Sequence, residues 1–115
     1  MKIITLSKKY PILIGSGILD LLPKILKDNS INFTKCLVIV DHKAPKKLIS
    51  KALKKISKTK IVIHYFYANE LNKNQNSINK ILNILLQKNF NRNDCVISVG
   101  GGITGDVSGF AASVY

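Results

Sequence analysis

At 115 residues, with 18 Lys and Arg against 6 Asp and Glu and a net charge of +12, the chain has the length of one domain able to bury a core. Its 46% apolar composition argues against disorder. No apolar run approaches the ~20 residues of a membrane span, and Met1 to Leu6 is too short an apolar stretch for a secretory signal. Cys36 and Cys95 each open an apolar run. They read as small buried hydrophobes of a reducing compartment, not as a disulfide framework or a metal site, so the expected compartment is the cytoplasm. Arg92 is the sole arginine, and Lys, Ile and Asn are abundant together. The charge therefore reads as compositional bias, with neither nucleic acid nor a membrane expected as partner.

Lys2 to Leu6 and Ile12 to Ile14 read as short strands, with Tyr10-Pro11 setting an extended turn between them. Gly15-Ser16-Gly17 breaks the second strand, and Ser16 is placed to cap a helix whose inner face holds Ile18, Leu22, Ile25 and Leu26. Pro23 requires that helix to begin late, with Pro23 in its first turn, or to kink. Cys36 to Val40 is a continuous apolar run, the pattern of a strand covered on both faces. It ends in Asp41, which either accepts hydrogen bonds from a ribose or caps the next helix; His42 is expected to face solvent. Pro45 to Ile56 is amphipathic, with Leu48, Ile49, Ala52, Leu53 and Ile56 inward and Lys47, Lys51, Lys54, Lys55 and Lys58 outward. Lys60 to Tyr67 is the next strand, with His64 as a packed or edge histidine, and Ala68 to Lys73 is a loop. Ser77 to Asn89 forms a helix with Ile78, Ile81, Leu82 and Leu85 inward, and Phe90 to Asp94 turns the chain back.

The final strand, ending Val96-Ile97-Ser98-Val99, runs into Gly100-Gly101-Gly102-Ile103-Thr104-Gly105-Asp106, and a helix of small and apolar residues follows from Val107. Glycines there let the backbone approach a ligand, and the free amides of a helix start make a concavity for phosphate. The spacing Gly100-x-Gly102-x-x-Gly105 fits a dinucleotide fingerprint. A plain strand-to-helix turn, with Asp106 favouring the helix dipole, fits as well. The element order β-β-α-β-α-β-α-β-α predicts an α/β fold: a Rossmann-like parallel sheet with helices on both faces, preceded by a short N-terminal strand pair. Ligands in such sheets bind beyond the carboxyl ends of the strands. That rule gathers Asp41, Glu70, Lys73 and the glycine segment onto one edge.

Four stretches together resemble the 3-dehydroquinate synthase family: Tyr10 to Leu19, Val40-Asp41 followed by Ala44-Pro45, Glu70-x-x-Lys73, and above all Arg92 to Tyr115 with its Gly-Gly-Gly-x-x-Gly-Asp-x-x-Gly-Phe-Ala-Ala string. The resemblance covers essentially the whole chain. It implies conversion of 3-deoxy-D-arabino-heptulosonate 7-phosphate, a sugar phosphate, to 3-dehydroquinate and phosphate in the shikimate pathway, with catalytic NAD and a divalent metal, zinc or cobalt. It also implies that residues 1–115 are a truncated N-terminal NAD-binding domain. Asp41, Glu70, Lys73, Gly101, Gly102, Ile103, Thr104, Gly105 and Asp106 are the implied cofactor-binding residues. The family's metal ligands, catalytic groups and helical C-terminal domain would lie downstream, so no catalytic or metal residue is expected here and the 115 residues alone are expected to be inactive. Family members are commonly homodimers. Ala68-Asn69 departs from the family's Asp-Gly; Asn69 is a residue that tolerates positive φ. Thr104 and Ser108 are mild variants. Rival readings are an NAD- and metal-dependent alcohol or glycerol dehydrogenase-like protein, another sugar-phosphate cyclase, and a basic nucleic-acid-binding module.

Overall fold

The computed structural model describes residues 2–7, 10–56 and 60–115, and for 2–7 the backbone alone. Strands β1 (Lys2–Ser7) and β2 (Tyr10–Ile14) pair antiparallel, Lys2 opposite Ile14. The expected strand pair is present. Tyr10 and Pro11 belong to β2 instead of forming the turn, and residues 8–9, which link the strands, lie outside the described residues. A proline is tolerated there because each strand of a two-stranded sheet is an edge.

Strands β3 (Lys35–Asp41), β4 (Lys60–Phe66) and β5 (Cys95–Val99) form a parallel sheet in the order β4-β3-β5. Cys36 pairs with both Ile61 and Cys95, and Val40 with both Tyr65 and Val99. Central β3 is the most buried element: Cys36 to Val40 are at most 1% exposed. Its alternation divides the core in two. Leu37 and Ile39 pack with Ile78, Ile81 and Leu85 of α3 (Gln75–Gln87) and with Val107 and Ala111 of α4 (Gly102–Val114). On the other face Cys36, Val38 and Val40 pack with Ile49 and Leu53 of α2 (Lys46–Lys54), and Leu22 and Leu26 of α1 (Leu22–Asp28) adjoin them. Helices therefore cover both faces, as expected.

Local chemistry sets the element ends, and several differ from expectation. Ser16 caps nothing. Gly17, at φ 68°, precedes a short 3-10 turn over Ile18–Leu21 without a side-chain cap, and Pro23 sits in the first turn of α1, one of the two arrangements open to it. Helix α3 begins two residues before Ser77, because the Asn74 side chain accepts the Ser77 amide at 2.9 Å. It ends in a Schellman motif: Asn89 takes φ 58°, and the Phe90 amide donates to the Leu85 carbonyl. On α2, Lys47, Lys51, Lys54 and Lys55 are exposed as expected, but so is Leu48, at 48%; Lys58 lies outside the described residues. At the amino end of the sheet the Asp94 carboxylate accepts from the Asn91 and Lys35 amides and the Thr34 hydroxyl, tying the starts of β3 and β5. These donors hold its pKa below the usual carboxylate value. Among the described residues no helix is long and apolar enough to cross a membrane.

Cys36 and Cys95 face each other across β3 and β5 as free thiols, Cys36 buried and Cys95 partly so. The thiol–thiol hydrogen bond and then burial push the Cys36 pKa up, so it stays protonated.

Candidate cofactor site at the carboxyl edge of the sheet

The glycine segment is part loop and part helix. Gly100 and Gly101 make the turn, and α4 begins at Gly102. Ile103, Thr104, Gly105 and Asp106, expected in the loop, are therefore helical. The physical reason is packing: Thr104, Val107, Ser108 and Ala111 are buried along one face of α4, and that burial overrides the poor helix propensity of the glycines. Asp106 consequently lies beyond the first turn of α4, where the helix dipole has little hold on it.

Gly100 is the tightest point. Its φ is 155°, and a Cβ placed there would lie 2.8 Å from Thr104 Oγ1 and 3.0 Å from both Asp41 Cβ and Thr104 Cβ. Only glycine lets β5 turn between β3 and α4 at this spot. Gly101, Gly102 and Gly105 contrast with it: a Cβ on any of them meets nothing within 4 Å. Open backbone thus lies beside a wedged glycine at the amide end of a thirteen-residue helix, the end of a helix that favours anions.

Asp41 ends β3 beside this turn. Its Oδ1 accepts the Lys43 amide at 3.1 Å, and its carbonyl accepts the Ala44 amide at 2.8 Å. The residue thus builds its own tight turn. It does not cap α2, whose N-cap is Pro45 without any side-chain cap. His42 is partly buried, not solvent-facing: its Nδ1 lies 3.2 Å from Asp41 Oδ1 without hydrogen-bond geometry, and its ring rests on Tyr67 at 4.3 Å between centroids.

The segment after β4 is shaped by asparagines. Asn69 takes an extended φ of −154°, not a positive one, and its side chain accepts the Asn72 amide at 2.9 Å to start a 3-10 turn over Glu70–Asn72. Asn72 in turn donates to the Tyr67 carbonyl at 2.8 Å. This loop carries Lys73 to α4, where its Nζ meets Asp106 Oδ2 at 2.9 Å. Hydrogen bonding and attraction from Asp106, then attraction from Glu70, raise the Lys73 pKa, so it stays cationic. A largely apolar cleft of about 280 Å³ lies beside this pair, lined by Ile78, Val107 and Phe110. A larger one, about 430 Å³, lies at the opposite end of the sheet around Phe90, Arg92 and Tyr115, away from the glycines.

The structure thus sets Asp41 against Gly100 and joins Lys73 to Asp106, while Glu70 stands exposed on the 3-10 turn. Thr104 differs from the other candidates: it is fully buried, its hydroxyl without a hydrogen-bond partner, as is that of Ser108. His64 lies on edge strand β4, half-buried; desolvation, then Lys80, lower its pKa. Sequence reasoning passed over Tyr67, His42 as its ring partner, and Asn72; the aromatic beside a strand end was the available signal. Among the described residues no three His, Cys, Asp or Glu side chains cluster as metal ligands would.

Comparison with known proteins follows the same lines. Residues 63–115 match the family model described as 3-dehydroquinate synthase N-terminal. The chain is 55% identical over 115 residues to a 3-dehydroquinate synthase of Pelagibacter ubique, covering 100% of this chain and 31% of that protein. It is 34% identical over 111 residues to one of Syntrophotalea carbinolica, covering 94% of this chain and 30% of that protein. The chain therefore spans about a third of the length of these curated relatives. A crystal structure of 2-deoxy-scyllo-inosose synthase complexed with carbaglucose-6-phosphate, NAD+ and Co2+ matches with a TM-score of 0.82 over 99% of this chain and 31% of that one. At 22% identity this likeness concerns the fold alone. By sequence the chain is similar to the N-terminal part of 3-dehydroquinate synthases.

Proposed function

We propose that this chain is the NAD-binding N-terminal part of a cytoplasmic 3-dehydroquinate synthase, a phosphorus–oxygen lyase. Such an enzyme converts 3-deoxy-D-arabino-heptulosonate 7-phosphate to 3-dehydroquinate and phosphate. The observation that carries the reading is the junction of β3, β5 and α4: Gly100 wedged against Asp41 and Thr104, with open backbone at Gly101, Gly102 and Gly105. Those open positions fit a dinucleotide. The amides of Gly101, Gly102 and Ile103, with Thr104 packed against the Gly100 turn, would hold the diphosphate at the start of α4. Asp41 would accept from the adenosine ribose. Glu70, Lys73, Gly105 and Asp106 would line the remainder, the Lys73–Asp106 pair keeping a fixed charge arrangement beside the cofactor.

NAD bound there supplies a reversible hydride acceptor for a secondary alcohol of the substrate. The residues of this chain bind and orient it. A divalent metal, cobalt in the related cyclase crystal, is not matched by the residues described here, so no step is assigned to one. The substrate class, a sugar phosphate, accords with the carbaglucose-6-phosphate of that crystal, and the family's homodimeric habit is proposed for the whole enzyme.

A chimera tests the reading. This chain replaces the corresponding segment of the Pelagibacter ubique relative, and release of phosphate from the heptulosonate phosphate is measured. Retained turnover, lost on Gly102→Val, is expected. A folded chimera that fails to turn over, or turnover indifferent to Gly102→Val, would overturn it.

A further inference from the structure

We propose that Tyr67, backed by His42, is the stacking platform for the adenine ring of the cofactor. This rests on the NAD reading above and extends it to a residue outside the glycine and acid set.

The argument begins with strand order. Across β4-β3-β5 the carboxyl edge presents Tyr67 after β4, Asp41 at the end of β3, and the glycine turn after β5. Neighbouring strands are about 4.8 Å apart, so the aromatic, the acid and the phosphate cradle stand in a line of about 10 Å. A nucleotide has the same sequence of parts: base, ribose, phosphate.

The platform is held in place. The His42 amide donates to the Phe66 carbonyl at 2.9 Å, extending the β3–β4 ladder one residue past Asp41. That bond sets the His42 ring against Tyr67, at 4.3 Å and a 34° tilt. The Tyr67 carbonyl is fixed in turn by Asn72 at 2.8 Å. Yet Tyr67 remains 62% exposed. An aromatic pair whose tyrosine is mostly exposed, anchored through its backbone beside Asp41, suits a planar base received by stacking.

Calorimetric titration of the 115-residue chain with NAD, ADP-ribose and inorganic pyrophosphate tests this. Tyr67→Ala is expected to weaken NAD and ADP-ribose about tenfold, the loss of one base–aromatic stack. Tyr67→Phe is expected to retain wild-type affinity. Pyrophosphate, which has no base, is expected to bind wild type and Tyr67→Ala equally, and the urea midpoint of Tyr67→Ala is expected to match wild type. If Tyr67→Ala binds NAD and ADP-ribose as wild type does while Gly102→Val does not bind, the cofactor reading stands and the platform falls. If wild type binds none of the three, the cofactor reading fails and the platform with it.

Discussion

Gly100→Ala is the substitution whose cost the structure defines most sharply. The added methyl would stand 2.8 Å from Thr104 Oγ1 and 3.0 Å from Asp41 Cβ, at a backbone φ of 155°. Neither neighbour can yield cheaply: Thr104 is fully buried, and Asp41 ends the central strand. Forcing a side chain into such a conformation costs about 1–3 kcal/mol, and overpacking a filled site adds a similar amount. The expected destabilisation is about 3 kcal/mol, a large share of the 5–15 kcal/mol that holds a typical domain together. With a urea m-value of about 2 kcal/mol/M for a small protein, the midpoint should fall by about 1.5 M. Circular dichroism in a urea titration reads it directly. Gly101→Ala is the control, because its φ is −88° and its Cβ meets nothing within 4 Å; it should unfold close to wild type. A Gly100→Ala protein within about 0.5 kcal/mol of wild type would refute the claim that the turn is wedged between β3 and α4.

Two further outcomes follow from buried polar groups. The Thr104 hydroxyl is buried without a partner, so the isosteric Thr104→Val should leave stability unchanged or raise it by about 1 kcal/mol in the same titration; a loss of that size would mean the hydroxyl is bonded. His64 has a folded pKa below its ordinary 6.5, from desolvation and then Lys80. A depressed pKa means that its contribution is complete above pH 6.5 and lost as pH falls toward the folded value. Thermal stability should therefore decline from pH 7 to pH 5, and His64→Gln should flatten that slope; an unchanged slope would place the pH dependence elsewhere.

The parts of the fold legible in the sequence were those written in periodicity. The unbroken apolar run of Cys36 to Val40 read as a two-sided strand and is the buried centre of the sheet. The inward set Ile78, Ile81 and Leu85 read correctly because a 3.6-residue period survives independent of partners. What escaped was decided by contacts distant in sequence. Residues 102–106 looked like loop because glycine is a weak helix former, and packing against the sheet made them helix. Asp106 looked like a dipole partner, but Lys73, 33 positions away, engages it. Asn69 looked like a positive-φ residue, and its side chain serves as a cap instead. The His42–Tyr67 contact depends on the β3–β4 register, which no local pattern carries.

The central claim, that the glycine turn where β3, β5 and α4 meet holds NAD, is tested most directly by isothermal titration of the 115-residue chain with NAD, beside Gly102→Val. The Gly102 position is open, so valine there should fold while its side chain fills the cradle. The account predicts binding by wild type, and loss of that binding by a Gly102→Val protein of unchanged circular dichroism. Equal affinity in the two proteins, or no binding by a folded wild type, would contradict it.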